Sequence, residues 1–501
     1  MANDNIVELF LNNGQKKAVE TIVKFMESES CNNLMLLGPG GTGKTTVIVS
    51  ALTDKYNVAF CAFTNKATQI LKTISDKFSV TFNADFMTIH KLLMLEPKYL
   101  NSELEVVFKF DKKKLDHVKK YDLIIFDECS TINKELYNFI FEMVDWAKFK
   151  FDKTIKTIFL GDFWQLPPIG EKSSIVFEMA KKNGWIISKL TEMMRSKNDK
   201  IKCVNQCFMK WIDRFKNINI EENKSSISTF IEKYPYNILP KHEFREFYMN
   251  SVSDLIDDYI VTWKNTKIED CIILTYSKNN CERLNFMVQD IIDTIEDRKI
   301  PDNRKLQWFY IGDRCCLDTP IEICDIEFKY GESESFIQLS GSKGEYLYNG
   351  EIFDVIGTEN IKIITHVNKK KYSLSAYFDA QLLTVKKIGV DNCETYSIIH
   401  IPKDTLDMAR RKVKLHSSKN EYIENMSIFA KYYPKLYYGY AITVYKSQGS
   451  EWNTVFINLN SIKWSIINKP SDFTLSKKKQ LLKATYTAAS RATSDLRLNW
   501  F

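Results

Sequence analysis

The stretch GPGGTGKTTV, residues 38–47, contains the residue types that hold phosphate groups. It fits the pattern GxxxxGK[ST] and follows the apolar run NLMLL, residues 33–37. Between a strand and a helix, such a loop directs backbone N–H groups and a positive helix N-terminus at phosphate oxygens. Lys44 then reaches the β and γ phosphates, and the Thr45 hydroxyl is a ligand for Mg²⁺. The pattern predicts a site for ATP and Mg²⁺, with these contacts: Gly38, Gly40, Gly41, Thr42, Gly43, Lys44, Thr45 and Thr46.

Two later apolar runs end in polar residues that suit work on a bound triphosphate. YDLIIFDECS, residues 121–130, ends in a pair of carboxylates. Asp127 is expected to hold Mg²⁺ through water, and Glu128 to polarise the attacking water. TIKTIFLGDFWQLPPIG, residues 154–170, carries Asp162 and Gln165 beyond the next strand. Because an amide both donates and accepts, Gln165 is expected to contact the γ phosphate and the attacking water.

Two arginines are candidates for stabilising the charge that develops on the γ phosphate. Arg195 stands in LTEMMRS and Arg491 in YTAASRA. Charge on a transferring phosphoryl group calls for cationic donors from the opposite side of a cleft. Both residues are therefore predicted to act in catalysis.

A mostly parallel sheet must position these residues. Over the first part of the chain, short β-rich runs alternate with helical patterns, and each run ends at a polar or glycine-bearing segment: NLMLL, NVAFCAF, YDLIIF and TIKTIFL. This alternation predicts parallel strands with covering helices. Near residues 94–120 the alternation stops at LEVVFKFDKKK, which indicates a small two-stranded insertion.

The second half of the chain predicts another α/β unit with an insertion of its own. DCIILTYSKNNCERLNFMV, residues 270–288, has the pattern of a strand followed by a helix. From about 305 to 435, short strands separated by glycine, asparagine and lysine predict a β-rich segment. The parallel-sheet pattern returns at YYGYAITVYKSQGSEWNTVFINL, residues 437–459.

Composition limits the class of protein. With 501 residues and 44% hydrophobic content, several domains are expected. The net charge of +7 permits a nucleic-acid partner without requiring one. The basic run DKKKLDHVKK, residues 111–120, could follow a phosphate backbone, although most such runs are solvated faces. The eleven cysteines show no CxxC spacing, which favours reduced thiols over a zinc site.

Targeting signals are not evident in the sequence. MANDNIVELF has no basic region followed by an apolar core, and no apolar run approaches the roughly 18 residues of a membrane span. We expect a soluble intracellular protein, in cytoplasm, nucleus or a viral replication site, that does not associate with membranes and is a monomer. The abundance of Lys, Asn, Ile, Phe and Tyr suggests an AT-rich genome, and a compact chain of this kind suits a virus or phage.

The order of the motifs resembles superfamily 1B helicases, the 5′-to-3′ branch that contains RecD-like and Dda-like enzymes. The matching segments run from residue 11 to residue 493 and are LNNGQKKAVE, GPGGTGKT, AFTNKA, TIHKLL, FDECS, GDFWQLPP, LTEMMRS, AITVYKSQGSEW and YTAASRA. The resemblance implies an α/β fold with two RecA-like parallel-sheet domains. It further implies a small β-hairpin insertion in the first domain and a β-barrel-like insertion in the second.

The implied domain boundaries follow from the motifs. Residues 1–93 and 121–190 form the first RecA-like domain, which binds ATP, and residues 94–120 form an insertion that is a candidate strand-separating pin. Residues 191–304 and 436–501 form the second RecA-like domain, and residues 305–435 form its β-rich insertion.

The resemblance also implies roles for single residues. Gln15 corresponds to the amide that reads adenine, and three residues of the later motif lie near the nucleotide: Gln448, Gly449 and Glu451. Arg195 and Arg491 match the γ-phosphate arginines. Contacts with single-stranded DNA are implied for Thr64, Asn65, Thr88, His90, Thr443 and Ser447. Two residues depart from the family: Tyr445 stands where histidine is usual and could stack on a base, and Gly14 replaces a frequent acidic residue.

The implied function is an ATP-dependent DNA helicase that moves 5′-to-3′ along single-stranded DNA and unwinds duplex junctions in replication, recombination or repair. Replication proteins are a further class of candidate partner. Three alternatives stay open: an RNA helicase of the viral superfamily 1 type, a P-loop NTPase switch that is independent of nucleic acid, and a nucleic-acid-binding module with an inactive ATPase.

Overall fold

The computed structural model of the chain describes most of the two halves on which the motifs lie. The described residues are 11–63, 83–99, 106–194, 198–214, 248–249, 251–265, 271–298, 308–318, 321–330, 335–347, 350–368, 373–388, 395–402, 405, 411, 434–467 and 474–499. The chain divides into two compact units. Unit 1 comprises Met1–Glu96, Phe110–Ser277 and Thr443–Phe501, and unit 2 comprises Pro97–Lys109 and Lys278–Ile442.

The first sheet of unit 1 carries the phosphate-binding loop. Its strands are β1 (Asn33–Leu37), β2 (Val58–Ala62), β3 (Ala84–Thr88), β6 (Leu123–Phe126), β7 (Lys156–Gly161) and β8 (Ile186–Lys189). They lie in the order β3-β2-β6-β7-β1-β8, and the neighbours run parallel. The strands predicted from NLMLL, NVAFCAF, YDLIIF and TIKTIFL are thus confirmed. In a parallel sheet all carboxyl ends share one edge, so the loops after β1, β6 and β7 meet there.

Helices cover both faces of this sheet because its strands are apolar on both sides. The helices are α1 (Asn13–Glu27), α2 (Lys44–Ala51), α3 (Ile89–Leu92), α4 (Lys134–Phe151) and α5 (Ile175–Lys182). Leu34 and Leu36 of β1 join the core under α1 and α2, whereas Met35 joins the core under α4 and α5. This alternation follows from the two-residue period of a strand.

Helix starts agree with local capping chemistry. The Asn12 side chain accepts a hydrogen bond from Gln15 N, and Gln15 Oε1 accepts one from Asn12 N, which forms a capping box at the start of α1. Asn133 caps α4 in a similar way by accepting from Leu136 N. Such caps stabilise a helix by about 1 kcal/mol each.

A second parallel sheet also belongs to unit 1. It contains β9 (Tyr248–Met249), β10 (Cys271–Thr275), β19 (Trp452–Ile457) and β20 (Ala492–Asn499), in the order β10-β19-β20-β9. Strand β18 (Ala441–Thr443) lies mostly in unit 2, which ends at Ile442. The pairs β10–β19, β19–β20 and β20–β9 are parallel. The accompanying helices are α6 (Asp199–Arg214), α7 (Val252–Asn265), α9 (Leu459–Ile466) and α10 (Leu475–Ala489). This sheet confirms the parallel strands predicted from residues 270–288 and 437–459, which are β10 and β19.

Unit 2 is largely antiparallel. It contains the hairpin strands β4 (Glu96–Tyr99) and β5 (Val106–Lys109), helix α8 (Lys278–Ile295), and the strands β11 (Arg314–Leu317), β12 (Ile321–Tyr330), β13 (Ser335–Leu347), β14 (Ile352–Asn368), β15 (Ser373–Lys387), β16 (Thr395–His400) and β17 (Leu436–Tyr438). The main order is β12-β13-β14-β11-β17, with β15 paired to β14 and β16. The antiparallel pairs include β12–β13, β14–β15 and β15–β16. The predicted β-rich insertion and the predicted two-stranded insertion are both present.

Candidate active site

The loop after β1 has the backbone that a phosphate cradle needs. Gly41 and Gly43 adopt positive φ values of 78° and 77°, which residues with a Cβ rarely do. Gly43 is also the N-cap of α2, and a Cβ there would lie 2.6 Å from Gln15 Nε2. Gln15 Nε2 in turn donates to Thr42 O at 3.1 Å. Both the turn and its packing against α1 therefore require glycine.

Lys44 lies across this loop. Its ammonium donates to Gly38 O at 2.8 Å and to Pro39 O at 3.1 Å. Thr45 and Thr46 follow it in the first turn of α2 and are half-buried. The ammonium, the loop N–H groups and the Thr45 hydroxyl thus stand together at the positive end of a helix, which is a suitable environment for phosphate.

The loop after β6 carries the predicted carboxylates. Asp127 Oδ1 accepts a hydrogen bond from Glu128 N at 2.8 Å, and Asp127 N donates to Cys61 O of the neighbouring strand. Glu128 adopts a φ of 50°, an unusual backbone conformation for a residue that is not glycine, asparagine or aspartate. A strained conformation of this kind is frequent where a side chain must be aimed at a site.

The Asp162 carboxylate is the centre of the hydrogen-bond network at the end of β7. Its Oδ2 accepts from Gly40 N at 3.0 Å, from Tyr486 Oη at 2.7 Å and from Gln165 Nε2 at 3.3 Å, while Oδ1 accepts from Trp164 N at 3.0 Å. The side chain is fully buried. Burial raises the pKa of Asp162, and the charge of Lys44 and the Tyr486 hydrogen bond oppose this shift.

The side-chain amide of Gln165 forms a hydrogen bond through its nitrogen but not through its oxygen. Its Nε2 donates to Asp162, whereas its buried Oε1 accepts no hydrogen bond from any residue that the structure describes. A buried acceptor without a partner costs about 1–3 kcal/mol. The arrangement leaves this oxygen ready to accept from a ligand or a water.

Helix α10 contacts the loop after β7 through a row of polar side chains one turn apart. Lys483 Nζ donates to Phe163 O at 2.8 Å and to Gln165 O at 3.0 Å. Thr487 Oγ1 accepts from Leu166 N at 2.9 Å. Together with Tyr486, which donates to Asp162, these side chains form hydrogen bonds along residues 162–166, the segment that contains Gln165.

Arg491 follows α10 and is directed at the same site. It is only 2% exposed, and its Nη1 lies 4.0 Å from Glu128 Oε1. Its guanidinium is held by Thr487 O, Ser490 Oγ and Ser450 O. A Cβ on Gly40 would lie 3.9 Å from Arg491 Nη2. The structure therefore brings Arg491 to the loop that carries Lys44.

Some residues of the motif AITVYKSQGSEW lie at this site, and others lie in the protein interior. Gln448 Nε2 donates to Leu166 O at 3.4 Å, and Gly449 adopts a φ of 76°. Ser447 is fully buried and donates to Val444 O at 2.7 Å. Glu451 is half-buried, and Trp452 N donates to Arg491 O.

The residues assigned to DNA contacts have local partners. Thr88 caps α3 by accepting from Lys91 N at 3.1 Å, and Thr443 Oγ1 accepts from Lys446 N at 3.3 Å. His90 packs edge-on against Phe63 with ring centroids 5.5 Å apart, and burial lowers the pKa of His90. Tyr445 packs against Tyr276 at 5.7 Å between centroids.

Three predicted residues lie outside the described part of the chain: Thr64, Asn65 and Arg195.

For Gln15, both side-chain amide atoms already form hydrogen bonds, the oxygen with Asn12 N and the nitrogen with Thr42 O. It thus contacts the phosphate-binding loop directly, and reading a base would require an exchange of one of these bonds.

Sequence reasoning did not single out Tyr486 and Lys483. Both lie on α10 with Thr487, at spacings of three and four residues that place them on one helical face. That spacing in KATYTAASRA is the signal that could have indicated a polar helix face directed at the site. What it faces could not be deduced locally, because Asp162 is 324 residues away in the chain.

The residues present fit ATP and Mg²⁺. The glycine turn and Lys44 suit a triphosphate, and the Gln165 oxygen without a protein partner suits a water beside it. Mg²⁺ in such sites takes one or two protein oxygens and completes its shell with phosphate and water. Thr45 and Asp127 supply oxygens of the required type beyond the carboxyl ends of β1 and β6, the two strands that flank β7.

Part of the chain matches a protein family, and the whole chain is similar to several known proteins. Residues 15–171 match a family model described as an AAA domain. The chain is 26% identical over 532 aligned residues to an uncharacterized protein, R530, of Acanthamoeba polyphaga mimivirus, covering 97% of this chain and 99% of that one. It is similar to the solved structure of Pif1 helicase from Candida albicans, with 16% identity, a TM-score of 0.49, and coverage of 99% of this chain and 95% of that chain. It is also similar to Bacteroides Pif1 bound to ssDNA, with 15% identity, a TM-score of 0.47, and coverage of 98% and 92%.

Fold and site together define an α/β protein with two parallel sheets and a glycine-rich loop between β1 and α2. In its ordered motifs the chain resembles superfamily 1B DNA helicases. None of the helices in the described ranges is both long and apolar enough to cross a membrane.

Proposed function

We propose that this protein is an ATP-dependent DNA helicase that moves 5′-to-3′ along single-stranded DNA and unwinds duplex junctions. The observation that carries the proposal is the convergence of Lys44, Glu128, Gln165 and Arg491 on one site. Arg491 directly precedes β20 of the second sheet, whereas the other three residues follow strands of the first sheet. A site shared by two sheets can couple phosphate chemistry to their relative movement.

The chemistry follows from the side chains. Glu128 accepts a proton from water as the water attacks the γ phosphorus, and the bond to the β–γ bridging oxygen breaks. Gln165 orients this water through Oε1, since its Nε2 is held by Asp162. Lys44 and Arg491 stabilise the charge on the phosphate oxygens from two sides. Mg²⁺, when held by Thr45 and Asp127, would neutralise further phosphate charge.

Strand movement is the second part of the proposal. When the γ phosphate has left, Arg491 and Gln165 lose a common partner, which weakens the connection between the two sheets. We assign the strand contacts to Thr64, Asn65, Thr88, His90 and Thr443, with Ser447 supporting the loop that carries Thr443. Alternate tightening and release of these contacts would advance the protein along one strand.

The domain boundaries remain part of the proposal. We assign residues 1–93 and 121–190 to the first RecA-like domain and residues 191–304 and 436–501 to the second. Residues 94–120 would contain the strand-separating pin, and β4 and β5 support this by forming a two-stranded sheet there. Residues 305–435 would form the barrel-like insertion. A monomer that acts with replication proteins, in a virus or a cell, is the proposed biological setting.

The test is unwinding of duplexes that carry a single-stranded tail on either the 5′ or the 3′ side, with ATP and Mg²⁺. We expect unwinding of the 5′-tailed DNA duplex only, and stimulation of ATP hydrolysis by single-stranded DNA. The same tails made of RNA measure the sugar preference. ATP hydrolysis that is indifferent to any strand would refute the proposal and favour a P-loop switch.

A further inference from the structure

A surface of unit 1 that none of the sequence motifs includes combines lysines with aromatic rings. It is formed by the segment 112–120 and by the end of α4, residues 146–152. Lys112 Nζ lies 5.6 Å and Lys150 Nζ 5.5 Å from the Trp146 ring centroid, and Lys119 Nζ lies 5.8 Å from that of Phe151. We call this region the basic–aromatic surface.

The local fold explains why the lysines face outward. Leu115 and Val118 are fully buried and pack in the same core as Ala147 of α4. Two short 3₁₀ helices, Lys112–Lys114 and Asp116–Lys120, hold these two residues inward. Apart from the half-buried His117, their remaining residues are Asp116 and lysines, and these are exposed beside α4.

Charge on this surface is predominantly positive. Residues 112–120 and 146–152 contain seven lysines and two aspartates. Lys112, Lys113 and Lys119 form no ion pair with any residue that the structure describes. Lys150 pairs with Asp116 at 2.6 Å and Lys148 with Asp152 at 2.7 Å, but the partners are exposed. Exposed pairs contribute little, so a polyanion can displace these aspartates.

Phe149 distinguishes this surface from an ordinary solvated face. At 82% it is the most exposed of the large apolar side chains that the structure describes. Its ring stacks on Trp146, with centroids 6.0 Å apart and an interplanar angle of 30°. An open phenyl face among lysines has the chemistry of a stacking platform for an unpaired base.

We propose that the basic–aromatic surface binds the displaced single strand of a DNA junction, with lysines on its phosphates and one base stacked on Phe149. The inference rests on the proposed helicase function. A single strand is favoured over a duplex because the bases of a duplex have no free face for a ring. In the sequence, the segment 112–120 of this surface closely follows β5, the second β-strand of the proposed pin. This position suits the binding of a DNA strand that the pin has just separated.

The experiment compares a duplex that carries a 5′ tail with a fork that carries 5′ and 3′ tails, using the full chain. Binding is measured by fluorescence anisotropy over a range of salt concentrations. We expect the wild-type protein to bind the fork about tenfold more tightly. Lys112→Gln/Lys113→Gln/Lys119→Gln should lower the salt slope for the fork by about 2, because each phosphate contact on a single strand contributes about 0.7.

Phe149→Ala should remove most of the tenfold fork preference and leave the salt slope unchanged. Lys181→Gln/Lys182→Gln, exposed on α5, and Trp464→Ala, an exposed ring beside Lys463, are matched controls that should change neither quantity. Thermal melting shows that each variant is folded.

The inference is overturned if the surface variants leave the fork preference intact, or weaken binding of both DNAs equally. A competition with polyglutamate is the second test. The inference is also overturned if polyglutamate displaces the fork from the wild-type protein and from Phe149→Ala but not from the triple lysine variant, since the partner would then be an acidic protein. ATP hydrolysis stimulated by a plain single strand is measured in parallel. Loss of fork preference with intact stimulation affects only this inference, whereas no stimulation in the wild-type protein refutes the proposed function.

Discussion

Tyr486 donates a 2.7 Å hydrogen bond to Asp162 Oδ2, and it thereby connects helix α10 to the loop that carries Gln165. The same carboxylate oxygen accepts from Gly40 N of the phosphate-binding loop. Both side chains are completely buried. A hydrogen bond to a buried charged group is worth about 1.5–3 kcal/mol, more than most side-chain contacts. The phosphate-binding loop, Gln165 and α10 consequently share one acceptor.

Tyr486→Phe should lower kcat for ATP hydrolysis about tenfold with a smaller effect on KM, because it loosens Asp162 and Gln165 but leaves Lys44 in place. Tyr440→Phe is the matched control, since Tyr440 is equally buried and donates to Gln289 Oε1 at 2.9 Å in unit 2. It should lower Tm without changing kcat. Equal kcat values for the two variants would contradict the role assigned to Tyr486.

The acidic limb of the pH–kcat profile should depend on Asp162. Its pKa is raised by burial and by the charge of Glu128, and lowered by Lys44, by the Tyr486 hydrogen bond and by Trp164 N. The ionised carboxylate is the acceptor that the site needs, so activity falls as the pH falls through this pKa. Tyr486→Phe removes a bond that lowers the pKa and should move the limb to higher pH. If the acidic limb of the pH–kcat profile lies at the same pH in the wild-type protein, Tyr486→Phe and Tyr440→Phe, the limb does not report Asp162.

Lys44→Ala should abolish ATP turnover and unwinding while sparing binding of single-stranded DNA. In the proposed function the lost ammonium binds phosphate, and in this structure it donates to the carbonyls of Gly38 and Pro39. Nucleotide binding, strand affinity and unwinding are measured on one preparation. Lys181→Ala, which removes an exposed lysine of α5, is the control. Normal unwinding by the Lys44 variant would refute the assignment of the loop.

Arg491→Lys should reduce kcat by about 10³ with little change in strand binding, because an ammonium cannot reproduce the planar fork of a guanidinium. Arg491 donates to Thr487 O, Ser490 Oγ and Ser450 O, so its position depends on several acceptors. Arg497→Lys is the control: Arg497 is 33% exposed and pairs with Asp258 and Asp495. Near-normal turnover by the Arg491 variant would place this arginine outside the chemistry.

Stability of unit 2 should be sensitive to the buried pair between Lys387 and Glu351. Their atoms lie 2.7 Å apart, and the side chains are 6% and 3% exposed. Glu351→Ala leaves a buried ammonium without its partner and should cost about 3–5 kcal/mol. The double variant Glu351→Leu/Lys387→Met should recover most of this loss. Thermal melting is the measurement, and Lys148→Ala, which breaks an exposed pair with Asp152, should leave Tm nearly unchanged.

Much of the site could be predicted locally. The apolar runs before Gly38, Asp127 and Asp162 predicted parallel strands, and the structure has β1, β6 and β7 there. A glycine-rich turn between strand and helix is encoded within about ten residues, because positive φ values and a helix start depend on neighbouring residues alone. The loop around Lys44 therefore needed no knowledge of the rest of the chain.

The sequence by itself determined which residue types end each strand, and with them the phosphate chemistry that the chain can support. Tertiary structure alone decided that Tyr486 donates to Asp162 and that the Gln15 amide donates to Thr42 O. Strand and turn signals act between near neighbours, whereas these contacts join residues that only the packing of helices on sheets brings together. The partners of a buried polar group are therefore visible only once the whole core is assembled.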